Sequence, residues 1–186
     1  MIRADDACDL IAKHLGKSLR ARHSKFVGFL MRRFAEVLGE DHSLWEVTGL
    51  CHDLDFEQTA ADRSRHGMLT AEWLKDDLPD GALQAIQSHD HRTGIRSESN
   101  LAEALRLADA VAVGELDVGR TAMLTALSAN DPFQSLEQIL LTRPYLTSLI
   151  IGPAKKLSIL PISIAEIGQE APQQNLGGSL DREMLG

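Results

Sequence analysis

Apolar positions recur along most of the chain at intervals of three and four residues, the spacing that lines one side of a helix. The clearest stripe is Leu19, Phe26, Leu30, Phe34 and Val37, with Ser18 before it as an N-cap and Gly39 after it as a stop, and it predicts a helix over Leu19–Leu38. A short helix precedes it over 5–15. Ser43-Leu44-Trp45-Glu46 reads as a capping box opening a third helix, which carries Leu44, Val47, Leu50, Cys51 and Leu54. A polar stretch over 57–64 leads to a fourth helix over 65–74, and Pro79 suits the first turn of a fifth that ends near Ser88. After a loop over 91–99, Asn100 with Glu103 marks the start of a sixth helix, whose stripe is Leu101, Leu105, Ala108 and Ala112. Weaker helical patterns follow over 117–128 and 132–141, then pieces broken by Pro144, Pro153 and Pro161. No stretch alternates as a strand would. The expected fold class is all-α: one domain over 1–168 with a helical core over 18–115, a small C-terminal helical extension over 116–168, and a flexible tail over 169–186.

Composition narrows the class. The 186 residues suit a single compact domain, and a hydrophobic fraction of 44% is enough to fill its core. Aromatics are only 4%, so Leu, Ala and Ile must do the packing, which favours helix against helix. A net charge of −8 excludes general nucleic-acid binding and leaves no expected duplex partner, because duplex binding needs a basic footprint. Two cysteines, Cys8 and Cys51, do not make a disulfide scaffold, and a reduced, cytoplasmic protein is expected. The opening MIRADDACDL carries acids where a signal peptide needs an apolar run. The apolar run around 149–151 is too short to span a bilayer, so no membrane partner is expected.

The same periodicity turns a set of polar side chains inward. His23 falls within the stripe of the second helix, His52-Asp53 sits among the apolar residues of the third, and His89 ends the fifth. Asp109 lies one turn past Leu105, and His66 stands at a helix start. Buried imidazoles and carboxylates are costly unless they pair or bind a cation. Facing helices of a bundle build metal sites from such residues, and mixed nitrogen and oxygen donors suit transition metals better than Ca. Any one of these residues is weak evidence. A second His-Asp pair, His89-Asp90, shows how easily the dipeptide arises.

The ordered set H…HD…H…H…D resembles the HD superfamily of metal-dependent phosphohydrolases, and local strings carry the resemblance further. Arg22-His23 resembles the family's opening "RH". The run Thr48 to Glu57, TGLCHDLDFE, resembles "TGLLHDIDYE" of a bacterial branch of predicted HD-superfamily hydrolases. Arg65-His66-Gly67 with Ala71-Glu72 is similar to "KHG…AE", Ile86 to His91 to its "I–H–H" segment, and Ala104-Leu105 with Ala108-Asp109 to "AL–AD". The resemblance covers about residues 20 to 115. It implies an HD-domain bundle in which His23, His52, Asp53 and Asp109 hold one divalent cation, while Asp53 bridges to a second held by His66 and His89. His91 is an alternative to His89. His89 is preferred because it follows Ile86 by three residues on the inward side.

The implied chemistry is attack on phosphorus by a metal-activated hydroxide, using one or two ions among Mn, Fe, Co, Ni, Zn and Mg. Asp53 and Asp55 are the expected catalytic carboxylates, although a helix-end or ligand-orienting role suits Asp55 equally. The substrate is expected to be a small phosphorylated metabolite or nucleotide. Its phosphate needs cationic donors, and seven Lys or Arg with no acid lie between Lys13 and Arg33. Lys25, Arg65, His91, Arg92 and Arg96 are the candidate substrate contacts. Two other functions share the pattern: a di-iron HD-type oxygenase and a non-catalytic nucleotide-sensing module. The apolar C-terminal pieces also suit a homodimer contact.

Overall fold

The stripes become ten α-helices in a computed structural model that describes residues 2–172, with no strand among the described residues. α1 (Ala4–His14) leads into α2 (Leu19–Leu38), capped as predicted by the Ser18 hydroxyl, which accepts from the Ala21 N–H, and stopped by Gly39 at φ 70°. Phe26, Leu30 and Phe34 are buried, whereas Val37 in the last turn is 58% exposed. α3 (His42–Cys51) starts earlier than the capping-box reading places it. Asp41 rather than Ser43 is the cap, accepting from the Ser43 and Leu44 N–H groups at 3.0 Å each. A carboxylate is favoured there because it also meets the positive end of the helix dipole.

The fourth predicted helix is split. A tight turn over Arg63–Arg65 precedes a short α4 (Met68–Trp73), and His66 lies between the two. α5 (Asp80–Ser88) has Pro79 just outside its first turn. α6 (Asn100–Val118) is capped by the Ser99 hydroxyl, not Asn100. Leu101, Leu105, Leu107, Ala108 and Val111 bury α6 nearly all round, as befits a helix surrounded by others, and α2, α5, α7 and α9 pack against it.

α7 (Arg120–Leu127), α8 (Pro132–Ile139), α9 (Tyr145–Lys156) and α10 (Pro161–Glu170) form the C-terminal part. Pro153 does not break the chain as expected. It sits buried inside α9 beside Ile150 and Ala154, where packing against the core outweighs the missing N–H. The first residues of the expected tail, 169–172, belong to the folded part. Gln169 and Glu170 complete α10, Ala171 is buried, and the Arg120 guanidinium donates to the Ala171 and Pro172 carbonyls at 2.8 and 3.1 Å. Main-chain acceptors of this kind leave no trace in apolar periodicity. The remainder of the predicted tail lies outside the described residues. No single helix among the described residues is long and apolar enough to cross a membrane, and α9 and α10 together are bent by 104°.

One contact sets the spacing of the elements that carry the site. Where α2 crosses α3, a Cβ on Gly49 would stand 2.9 Å from Gly28 Cα and 2.8 Å from the Met31 side chain. Two glycines therefore let the backbones meet directly, and His23 and His52 lie on the adjoining turns.

Candidate metal centre

Six polar side chains from separate elements converge beneath the crossing. His23 projects from the inward stripe of α2, while His52 and Asp53 follow the last turn of α3. His66 precedes α4, His89 caps the end of α5, and Asp109 lies on α6. Asp53 is at the middle, and its two oxygens face different neighbours. Oδ2 lies 3.5 Å from His23 Nε2 and 3.3 Å from His52 Nε2, whereas Oδ1 lies 2.9 Å from His66 Nε2 and 3.7 Å from His89 Nε2. Asp109 Oδ1 completes the first group at 3.0 Å from His23 Nε2 and 3.8 Å from His52 Nε2. His23, His52 and Asp109 offer donor atoms close enough to hold one cation, as do His52, Asp53 and His89.

The rings are held by the atoms behind them. His52 Nδ1 donates to the Gly49 carbonyl at 2.7 Å and His89 Nδ1 to the Ile86 carbonyl at 2.6 Å, both residues in the helix that the histidine ends. Those bonds leave Nε2 free of the neutral ring's proton and pointed at the centre, the tautomer a metal requires. His66 Nδ1 meets Asp55 Oδ1 at 2.8 Å. Asp55 is itself completely buried, accepting from the Gly67 N–H on Oδ1 and the Thr70 N–H on Oδ2, so it also caps α4 from outside the helix. Three hydrogen bonds engage its oxygens, two on Oδ1 and one on Oδ2. Asp55 therefore meets the centre through His66 and caps α4, the ligand-orienting and helix-end placement that the sequence allowed beside a catalytic one. His23 Nδ1 is buried with no hydrogen-bond partner, so contacts at Nε2 alone fix that ring.

Charge at the centre is strongly coupled. Burial would push Asp53 up, but the His52 charge and the Arg20 guanidinium hold it well below the ordinary carboxylate range. Asp109 is likewise lowered, against its burial, by hydrogen bonds from His23 and His52. Burial pulls His52 down, yet the Asp53 charge and hydrogen bonds to Asp109 and Asp53 carry it to about 10. For His66, burial is outweighed by its bonds to Asp53 and Asp55, which raise it to about 9. His23 goes the other way, because burial exceeds the help from Asp109. The donor set suits divalent cations: four imidazole nitrogens and two ionised carboxylates, with Asp109 the one partly exposed member.

A family model described as the HD domain matches residues 20–114, the stretch that contains all six side chains. The chain belongs to the HD domain family. HD domains are all-α, bind divalent metals and form a superfamily of metal-dependent hydrolases. No curated relative and no solved structure matches the chain.

The HD centre opens into a cavity of about 650 Å³ lined by Asp53, His66, His89 and Asp109 together with further residues of α6 and α9. Of the expected substrate contacts, His91 and Arg92 are on its lining. Lys25, Arg65 and Arg96 are exposed and do not line it. Lys25 follows His23 by two residues, which is more than half a turn of helix, so it lies on the other side of α2. Arg65 and Arg96 sit on the solvent side of their turn and loop.

Several lining residues escaped the sequence reading. Arg20 donates to Asp53 Oδ2 at 3.0 Å and lies 3.7 Å over the Phe56 ring, whose other side carries Arg63 at 3.9 Å. The signal was available, since Arg20 precedes His23 by three residues and so shares its side of α2. Asp90 grips Arg92 through both carboxylate oxygens, and Arg143 and Tyr145 arrive from the C-terminal part. Nothing in the local sequence around 143–145 announces that role.

Proposed function

We propose that this HD domain is a phosphohydrolase that cleaves the ester of a small phosphorylated metabolite with two divalent cations. The observation that carries the reading is the division of Asp53, with Oδ2 among His23, His52 and Asp109 and Oδ1 between His66 and His89. In this reading Asp53 belongs to both cation positions, His23, His52 and Asp109 complete the first, and His66 and His89 complete the second. Divalent cations, when bound, supply positive charge for phosphate oxygens and lower the pKa of coordinated water. The protein contributes orientation and shelter. Gly49 and Ile86 carbonyls and the Asp55 carboxylate aim the imidazoles, Arg20 balances Asp53, and Arg92 on the cavity wall gives a donor for phosphate. No side-chain nucleophile is required, since Cys51 is buried and burial pushes its thiol up to about 12.

Metal analysis of purified protein, followed by a panel of phosphomonoesters and phosphodiesters, tests the proposal. Phosphate release should require added cation and proceed with redox-silent Mn or Zn, which separates hydrolysis from dioxygen chemistry. His52→Ala and Asp53→Ala should each abolish cation-stimulated release, by at least about a thousandfold. Substantial activity retained in either variant contradicts the site.

A further inference from the structure

The cation-facing end accounts for only part of the cavity. A volume of about 650 Å³ lies well within the roughly 300–1,000 Å³ of small-molecule sites and exceeds what one phosphate group fills. An apolar part of the lining is made by Val113 of α6, one turn beyond Asp109, with Tyr145, Leu146 and Leu149 of α9, between which Ser148 also reaches the cavity and beside which Arg143 lies. Leu146 is buried, but Tyr145 and Leu149 remain 54% and 38% exposed, facing the same space as Asp53 and Asp109. Residues four apart on a helix stand about 5–6 Å from each other, so Tyr145 and Leu149 present a surface the width of a planar ring. A wholly polar ester would leave that surface against water, whereas a flat apolar group laid on it would bury both side chains and allow stacking on Tyr145. The three α9 residues also lie outside the 20–114 stretch that the HD family model matches.

We propose that Tyr145, Leu146 and Leu149, with Val113, are the specificity-determining surface of the site, and that the substrate is a phosphate ester with a flat, apolar organic body lying on that wall. The orientation, phosphate towards Asp53 and Asp109, rests on the phosphohydrolase reading above. Phenylphosphonate and methylphosphonate carry the same head group with and without such a body, and neither is hydrolysed. Calorimetry on the full chain loaded with Mn(II) should show phenylphosphonate binding at least about tenfold more tightly. Tyr145→Ala and Leu149→Ser should each reduce that ratio by about threefold or more, and the double variant should bring it near one. Both side chains are substantially exposed, so the variants should fold, which thermal melting verifies. A ratio near one in the unaltered protein, a ratio unchanged in the double variant, or no binding of either phosphonate overturns the proposal. The two readings fail separately. A flat ratio in protein that hydrolyses esters removes only the wall, and a steep ratio in protein that releases no phosphate removes only the hydrolase.

Discussion

Among the six converging residues, Asp53 cannot be replaced by a neighbour, because only its carboxylate touches both groups of histidines. Asp55, two positions on, acts at one remove through His66. Asp55→Asn keeps the shape and can still accept from one backbone N–H, but it loses the charge that holds the His66 ring. Cation affinity at the His66–His89 end should fall by about 10–100-fold with the fold intact, as measured by metal titration and circular dichroism. An affinity within about twofold of the unaltered protein would mean that Asp55 serves α4 alone. The six residues were legible because burying histidine and aspartate on apolar stripes is expensive enough to demand an explanation. Asp90 was not, since a charged residue in a loop ordinarily faces water and only the folded chain shows it holding Arg92, while the spacing that puts Arg20 beside His23 gives no hint of its contact with Phe56. Lys25 is the opposite case, since it is near His23 in sequence but not in angle around α2, and it does not line the cavity.

At the level of elements, the crossing of α2 and α3 decides whether His23 and His52 can stand 3.4 Å apart at Nε2. Gly49→Ala would drive a methyl group into Gly28 Cα and Met31, and one of the two neighbours is backbone that cannot swing aside. The expected cost is about 3 kcal/mol, or roughly 6–12 °C in Tm, together with weakened cation binding as the helices separate. Gly81→Ala, in α5 where nothing lies within 4 Å of the new methyl, should instead be neutral or slightly stabilising. Equal melting temperatures for the two variants would contradict this account of the crossing. Helix positions followed well from periodicity over the first 118 residues, because each stripe had a large core to face. Caps were misplaced by one or two positions, since Ser, Asp and Asn compete for the same role and neighbouring residues decide between them. The C-terminal helices were harder, because their prolines read as breaks while the contacts of α9 with α6 that override Pro153 are long-range.

For the molecule as a whole, the proposed ligands span positions 23 to 109, so a cation bound there would tie α2, α3, α5 and α6 into one unit. Chelation should lower Tm, and the gap between cation-loaded and chelated protein should widen as pH rises from about 6 to about 9. Two effects of the same sign produce this. Cations must displace protons from His52 and His66, at about 10 and about 9, and that competition weakens with rising pH. In the chelated protein, imidazoles raised above their unfolded values stabilise the fold fully below about pH 6.5 and lose that contribution as pH climbs through their folded values. Scanning calorimetry across this range checks it, and a gap that narrows with pH would count against the histidines as ligands.

Glu103, buried on α6, holds Arg106 at 2.9 Å and Lys156 at the end of α9 at 2.6 Å, and Arg106 in turn donates to the carbonyl of Ser88, the neighbour of His89, and to that of Ser97. The arm that carries Tyr145 and Leu149 is thus moored by its far end to the same strut that steadies a histidine of the centre. Sequence drift along α9 can remodel what the pocket admits while the anchorage keeps the helix in register. Substitutions on the exposed side of α9 should accordingly reshape the cavity while the six converging side chains stay where they are.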